Sequence, residues 1–432
     1  NFKMEKNGSI KDILTFGFAL FAMFFGAGNL IFPPYLGIIS GPQWMIGFAG
    51  FTFADAGLAL LAVIAIALCN GKIMSLFERI GKVPAILLSF ADIMCVGPLL
   101  IIPRTGATTF EMGIQPLFGE GVPILLVVVI FFTLTYFLTV RPSKVIDIIG
   151  QVLTPFLIIA LSVIIVKGII TPVGPINSAP MINQVFARGV ADGYQTMDCF
   201  VSIAVGSVLI LTLINKGYTD AKHQVSVLIK AGIVACVGLA LIYGGLTYLG
   251  ATVSTVYNQD VQAAKVIVNI TKALLGNTGK TILAIAVSLA CLTTSIGLTS
   301  ATADYLSELS GRKVTYERVV LFVCLFSTAA ATLGVSGLVK VASPILAIVY
   351  PPTIVLIVLA FFNDKIKNDN IYKVSVLFTV ITSALTLLSA SIPSLAPVNN
   401  LPLGFLGFNW VVPAIIGGVI GKFIPSKVKA AE

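Results

Sequence analysis

The sequence predicts an all-α integral membrane protein of about twelve transmembrane helices, and three observations carry that expectation. Of its 432 residues, 57% are hydrophobic and 10% charged, and the mean hydropathy is +1.02. Soluble chains carry about 25% charged residues. Apolar runs of the ~20 residues needed to cross the hydrocarbon core recur from end to end. The basic residues gather in alternate connecting segments, as orientation charges do. So few charges cannot cover a water-facing surface. That excludes a cytosolic enzyme, a disordered chain and a nucleic-acid binder, despite a net charge of +9 and a pI near 9.2.

Taken in order, spans are expected at 12–38, 44–69, 84–113, 121–140, 145–170, 190–214, 225–250, 279–306, 317–335, 337–362, 371–391 and 404–424. The whole chain, 1–432, reads as one polytopic domain. No cleavable signal peptide is expected, because the first apolar run starts after Asp12 and lacks a small-residue cleavage site. The longest polar stretches lie near 172–188 and 252–278. Within the second, Val261, Ala264, Ile267, Ile270 and Leu274 recur at helical spacing, with Gln262, Lys265, Asn269 and Lys272 between them. This predicts a short amphipathic helix on the outer surface. With the N-terminus inside, about 20 of the 27 Lys and Arg fall on the cytoplasmic side, so both termini are expected in the cytoplasm. A bacterial inner membrane is the expected location.

Two spans contain breaks. A helix facing lipid cannot leave backbone groups unpaired, so irregular backbone is confined to places where it is buried or lines a cavity. Span one carries Gly26-Ala27-Gly28-Asn29 and then Pro33-Pro34 inside a hydrophobic run. Glycine and proline both weaken a helix interior. Span six opens Gly189-Val190-Ala191-Asp192-Gly193-Tyr194-Gln195-Thr196-Met197-Asp198, the most polar segment of any span. A packing glycine or a simple kink explains either break alone. Together they stand where two five-helix halves of opposite topology would begin, at 12–170 and 190–362, with two further helices at 371–424. Matching broken helices in inverted repeats point to a midplane substrate site. Half-helix N-termini present free amides to an anion, and unwound carbonyls suit a cation. A Cβ at Gly26 or Gly28 is expected to intrude on the ligand, and Gly193 to permit the unusual backbone of the second break.

Span eight carries Ala290-Cys291-Leu292-Thr293-Thr294-Ser295. Such hydroxyls commonly bond back to their own helix. Yet one carbonyl and two hydroxyls on one face also suit a hard monovalent cation.

The runs Gly26 to Pro34, Pro103-Arg104-Thr105-Gly106-Ala107, Gly193 to Asp198 and Leu292 to Tyr305 resemble the bacterial branched-chain amino acid:cation symporter family. The resemblance extends from about Lys11 to Gly421. It implies a LeuT-type fold, a 5+5 inverted repeat with two C-terminal helices and with helices one and six broken. It also implies secondary active import of leucine, isoleucine and valine by alternating access, coupled to sodium. A proton-coupled carrier, or a carrier of another neutral amino acid, is the alternative. Carried onto this sequence, substrate is expected at Phe25, Gly26, Ala27, Gly28, Asn29, Arg104, Gly193, Tyr194, Gln195, Thr196 and Phe200. Sodium is expected at the carbonyls of Ala22, Phe25 and Ala290 and the hydroxyls of Thr293 and Thr294. Proton-coupled relatives of the fold replace sodium with a lysine in mid fifth helix. Here that stretch, Thr154 to Leu161, holds no cation, and Lys144 and Lys167 lie near the helix ends.

A charge at the bilayer centre is costly, which makes the other ionisable residues in the spans candidates too. Arg104 and Glu111, seven apart, fall on one helical face, and a gate pair and a structural pair both fit. Asp55 reads as a cap for a neighbouring backbone break, and Asp198 as orienting the second one. Asp92 has no assigned role. Asp192 and Lys340 are expected to snorkel, and His223 to be solvated. The six scattered cysteines read as small buried hydrophobes. Neither a GxxxxGK[ST] motif nor an HExxH spacing occurs. No enzyme, ATPase subunit or resident cofactor is therefore expected; the partners are the amino acid, the coupling ion and the bilayer. Rings of repeated polar residues that would mark a channel are missing as well.

Overall fold

The computed structural model describes residues 10–141 and 144–425; the side chains of 144–151 lie outside that description. Lys3, Lys6, Lys427, Lys429 and the side chain of Lys144 are therefore outside the described residues. All regular secondary structure in the described part is helical. The first helix, α1 (Ile10–Phe24), stops at the glycines, and α2 (Gly28–Ser40) resumes after them. The chain reverses at Gly41, with φ +51, and continues through α3 (Trp44–Thr52), a π turn at Phe53–Gly57 and α4 (Leu58–Leu68). A short α5 (Ile73–Phe77) leads to α6 (Lys82–Met94), α7 (Ile101–Thr108) and α8 (Gln115–Phe118), with π turns at Cys95–Leu99 and Thr109–Ile114 between them. Then follow α9 (Ile124–Val140) and α10 (Lys144–Ile170).

The chain continues with α11 (Val185–Thr196) and α12 (Asp198–Asn215), separated by one residue, Met197. Next come α13 (Ala221–Ala251) and α14 (Ala263–Leu309). Asp220 caps α13 by accepting from the His223 backbone N–H. The His223 ring also bonds Asp220 and holds that exposed carboxyl below its ordinary range. The chain ends with α15 (Tyr316–Ala331), α16 (Gly334–Ala360), α17 (Asp369–Ser389) and α18 (Val411–Phe423). Among the described residues, eight helical segments are long and apolar enough to cross a membrane, and α9 and α18 are shorter apolar helices. One of the eight, Gly28–Leu68, has 41 residues. At 1.5 Å per residue that is about 60 Å, more than one crossing.

Glycines bring α2 against α13 and α3 against α11. A Cβ at Gly250 of α13 would stand 1.9 Å from the Pro34 carbonyl oxygen of α2, and one at Gly37 would stand 2.0 Å from that of Thr247. A Cβ at Gly189 of α11 would stand 2.2 Å from the Gly47 oxygen of α3, and one at Gly193 would stand 2.7 Å from Ala54. Small residues thus let backbones touch, as membrane helices require. Gly193 accordingly sits in regular helix as a packing glycine rather than as the break itself. Large apolar side chains such as Leu126, Ile130, Phe322 and Leu325 are exposed on α9 and α15, and they supply the surface that faces lipid.

The helix expected near 261–274 is the first part of α14, which bends at Gly276 (φ +68). Val266 and Val268 are buried along with Ala264, Ile267 and Ile270. The segment therefore packs into the protein over most of its circumference instead of lying on the surface by one face.

Candidate functional site

The two breaks meet. Asn29, in the first turn of α2, accepts from the Gly26 N–H with its side-chain oxygen at 3.0 Å. Its amide nitrogen donates to the Phe24 carbonyl at 3.0 Å, which ties the end of α1 to the start of α2. The same nitrogen contacts Asp198 Oδ2 at 2.9 Å, the hydroxyl of Tyr243 on α13, and the Asp55 carboxyl at 3.3 Å. Among the described residues, the N–H groups of Ala27 and Gly28 make no hydrogen bond. They are the free amides that begin a helix.

At the second break Met197 has φ +60 and ψ +21 and is fully buried. A left-handed backbone at a non-glycine residue is uncommon and marks functional sites. It is held from both sides. Thr196 Oγ1 lies 2.7 Å from Asp55 Oδ1 and from the Gly193 carbonyl. Arg104 of α7 donates to the Gln195 carbonyl at 2.5 Å and to the Thr196 carbonyl at 3.4 Å. A guanidinium on the last carbonyls of α11 complements the negative end of that helix. Asp55, fully buried, sits in the π turn between α3 and α4, an irregularity common at functional sites.

Both breaks open on a cavity of about 1020 Å³. Of the residues expected to bind substrate, Phe25, Gly26, Ala27, Gly28, Asn29, Arg104 and Thr196 line it. Gly193, Tyr194, Gln195 and Phe200 lie elsewhere. Tyr194 and Phe200 both pack on the Tyr350 ring, each at 4.2 Å between centroids. Gln195 bonds Ser343 of α16 at 2.8 Å. Tyr194 and Gln195 instead line a separate space of about 180 Å³. Of the expected sodium ligands, Ala22, Phe25, Thr293 and Thr294 line the large cavity and Ala290 does not. Thr293 Oγ1 donates to the Ala290 carbonyl at 3.0 Å, so its lone pairs stay available. The middle of α10 contributes Thr154, Pro155, Ile158 and Ile159, and Ile101 and Val201 add to the apolar wall. The cavity also takes in Asp198, expected to orient the second break.

Arg104 and Glu111 do not pair. Glu111 Oε1 accepts from the Val335 N–H at 2.8 Å. The π turn at Thr109–Ile114 adds a residue to the helical turn and swings Glu111 off the face it would share with Arg104. Asp192 is paired with Arg188 at 2.9 Å instead of snorkelling, and Asp92 accepts from Thr353.

The two glycines of the first break differ. A Cβ at Gly28 would stand 3.1 Å from Arg104 Nη2, whereas one at Gly26 would meet only Asn29 Oδ1 at 3.6 Å, an ordinary contact. At Gly28 a side chain would therefore press on the protein itself, whereas at Gly26 it would press on a ligand alone. Gly28→Ala is expected to cut substrate uptake at least about tenfold by displacing Arg104, and Gly26→Ala less than about threefold, one tenfold step being about 1.4 kcal/mol. Uptake by each variant, normalised to folded protein, checks this.

The chain matches the model of the branched-chain amino acid transport protein family over residues 9–428. It is 38% identical over 431 residues to the branched-chain amino acid permease BraB of Bacillus subtilis (strain 168), covering 97% of this chain and 96% of that relative. It is 33% identical over 424 residues to the branched-chain amino acid transport system 2 carrier protein of Pseudomonas aeruginosa, covering 95% of each. Its fold is similar to that of Mhp1 in the inward-facing conformation. The TM-score is 0.65 over 95% of this chain and 90% of that one, at 13% identity. At that identity the likeness concerns the fold alone.

Proposed function

This chain belongs to the branched-chain amino acid transport protein family, and from that premise we propose that it imports leucine, isoleucine and valine by sodium-coupled alternating access through twelve transmembrane helices. As a member of a carrier family it is a multi-pass membrane protein and not an enzyme. The observation that carries the proposal is the cavity at the crossing of the two breaks. At one end it offers a guanidinium and the unbonded amides of Ala27 and Gly28, groups that suit a carboxylate. Its remaining wall is largely apolar, as an aliphatic side chain needs.

The coupling ion is read from the same cavity. Thr293, Thr294, Ala22 and Phe25 line it, and their hydroxyls and carbonyls are the hard oxygens a sodium ion takes. Among the described residues, no lysine lines the cavity. The two buried carboxyls that share the Asn29 amide favour a proton-coupled carrier as the second reading.

The cavity lies along α1, the start of α12 and the second half of α14, and takes only Gly28 and Asn29 from α2. It thus extends toward the side that holds the N-terminus. With the orientation given by the Lys and Arg bias, that side is the cytoplasm, and the conformation is the one that releases substrate inward.

One methylene is worth only about 1–3 kcal/mol in discrimination, so all three branched-chain amino acids are expected to share the site. Unlabelled valine and isoleucine in about 100-fold excess should each suppress radiolabelled leucine uptake. Leucine uptake indifferent to both would refute a common site.

A further inference from the structure

We propose that the carboxylate of Asp198 receives the α-ammonium group of the substrate, opposite the Arg104 end that receives its carboxylate. The proposal rests on the reading above that the substrate is an amino acid. Asp198 follows the left-handed Met197 directly and opens α12. It is buried, yet it lines the large cavity. Among the described residues, Asn29 is its one hydrogen-bond donor, on Oδ2. Asp55 differs on each count. It accepts from Thr196 as well as Asn29, is fully buried and is not part of the cavity wall. One carboxyl therefore braces the break, and the other faces the space where a ligand sits.

Arg104 lies on the same cavity, and its bonded nitrogens go to the carbonyls of Gln195 and Thr196. No ion pair joins Arg104 to Asp198 among the described residues. Opposite charges held apart in one buried, mostly apolar cavity match a zwitterion and neither of its halves. A buried carboxylate is worth most to a ligand that brings it a hydrogen-bonded cation. Asn29, which bonds Asp198 and both sides of the first break, fixes that carboxylate against the first break, and the bonds of Arg104 to Gln195 and Thr196 fix the guanidinium against the second. A site built to bond a group rejects the analogue lacking that group by about 10⁴-fold or more, far more strongly than it ranks methylenes. Asp198 would accordingly confine the carrier to α-amino acids, while the apolar wall admits any of the branched side chains.

The test compares leucine with 4-methylpentanoate, the same skeleton without the amine, by equilibrium binding to purified full-length protein. The wild type is expected to bind leucine at least about 100-fold more tightly than 4-methylpentanoate. In Asp198→Asn that ratio should fall below about tenfold, through loss of leucine affinity with 4-methylpentanoate little changed. A purely structural role would weaken both ligands together and keep the ratio. A wild-type ratio under about tenfold overturns the proposal whether or not the variant folds, as does an Asp198→Asn ratio equal to the wild type's. A wild type that binds no branched-chain amino acid overturns the substrate reading first, and the proposal with it.

Discussion

Arg104→Ala is expected to lower leucine uptake at least about 100-fold while the protein still reaches the membrane. The guanidinium is 4% exposed and donates to two carbonyls at the end of α11. Removing one member of a buried charge constellation costs about 3–5 kcal/mol, and each 1.4 kcal/mol is tenfold. The loss falls on binding in two ways. The substrate carboxylate loses its cation, and the αL turn at Met197 loses the clamp on its N-terminal side. Arg104→Lys tests the geometry separately, because an ammonium cannot span two carbonyls and a ligand as a planar fork does. It should recover less than a tenth of wild-type uptake. Uptake by Arg104→Ala within threefold of wild type would remove Arg104 from the site.

The second large effect is expected on sodium. Thr293→Ala combined with Thr294→Ala removes two hydroxyls from the cavity wall without adding volume. Unmade polar contacts cost about 1–3 kcal/mol each. The sodium concentration for half-maximal uptake should therefore rise at least about 30-fold, at unchanged pH. Neither hydroxyl titrates near neutral pH, so a proton-coupled carrier would tolerate the double variant. Retention of the full sodium dependence would place the ion elsewhere.

Much of this arrangement is legible in the sequence, for physical reasons that differ from residue to residue. The first break shows itself because Gly26 and Gly28 interrupt an apolar run, although Pro33 and Pro34, read with them, fall inside α2. The second shows itself by polarity, but its hinge is hidden. Met197 has no intrinsic preference for positive φ, and only the network from Asp55, Thr196 and Arg104 imposes it. Gly193 looks like the hinge and is instead a packing glycine beneath Ala54. The separation of Arg104 from Glu111 was out of reach because seven residues return to the same face only in an unbroken α-helix. The π turn at Thr109–Ile114 has no sequence signature of that kind. Tyr194 and Phe200 stand beside the break in sequence, yet they turn toward Tyr350 on α16, a direction set by the rotation of α11 and α12 about Met197. Asp198 was visible as a charge inside a span. Only the meeting of the two breaks gives it a cavity to face.

The central claim, a sodium-driven importer of branched-chain amino acids, is tested most directly by radiolabelled leucine accumulation in proteoliposomes holding the purified protein, with sodium and pH gradients imposed separately. A sodium-coupled carrier accumulates leucine above equilibrium under an inward sodium gradient at constant pH, and accumulates none under a pH gradient in sodium-free buffer. Accumulation driven by the pH gradient alone, or no leucine accumulation under either gradient, would contradict it.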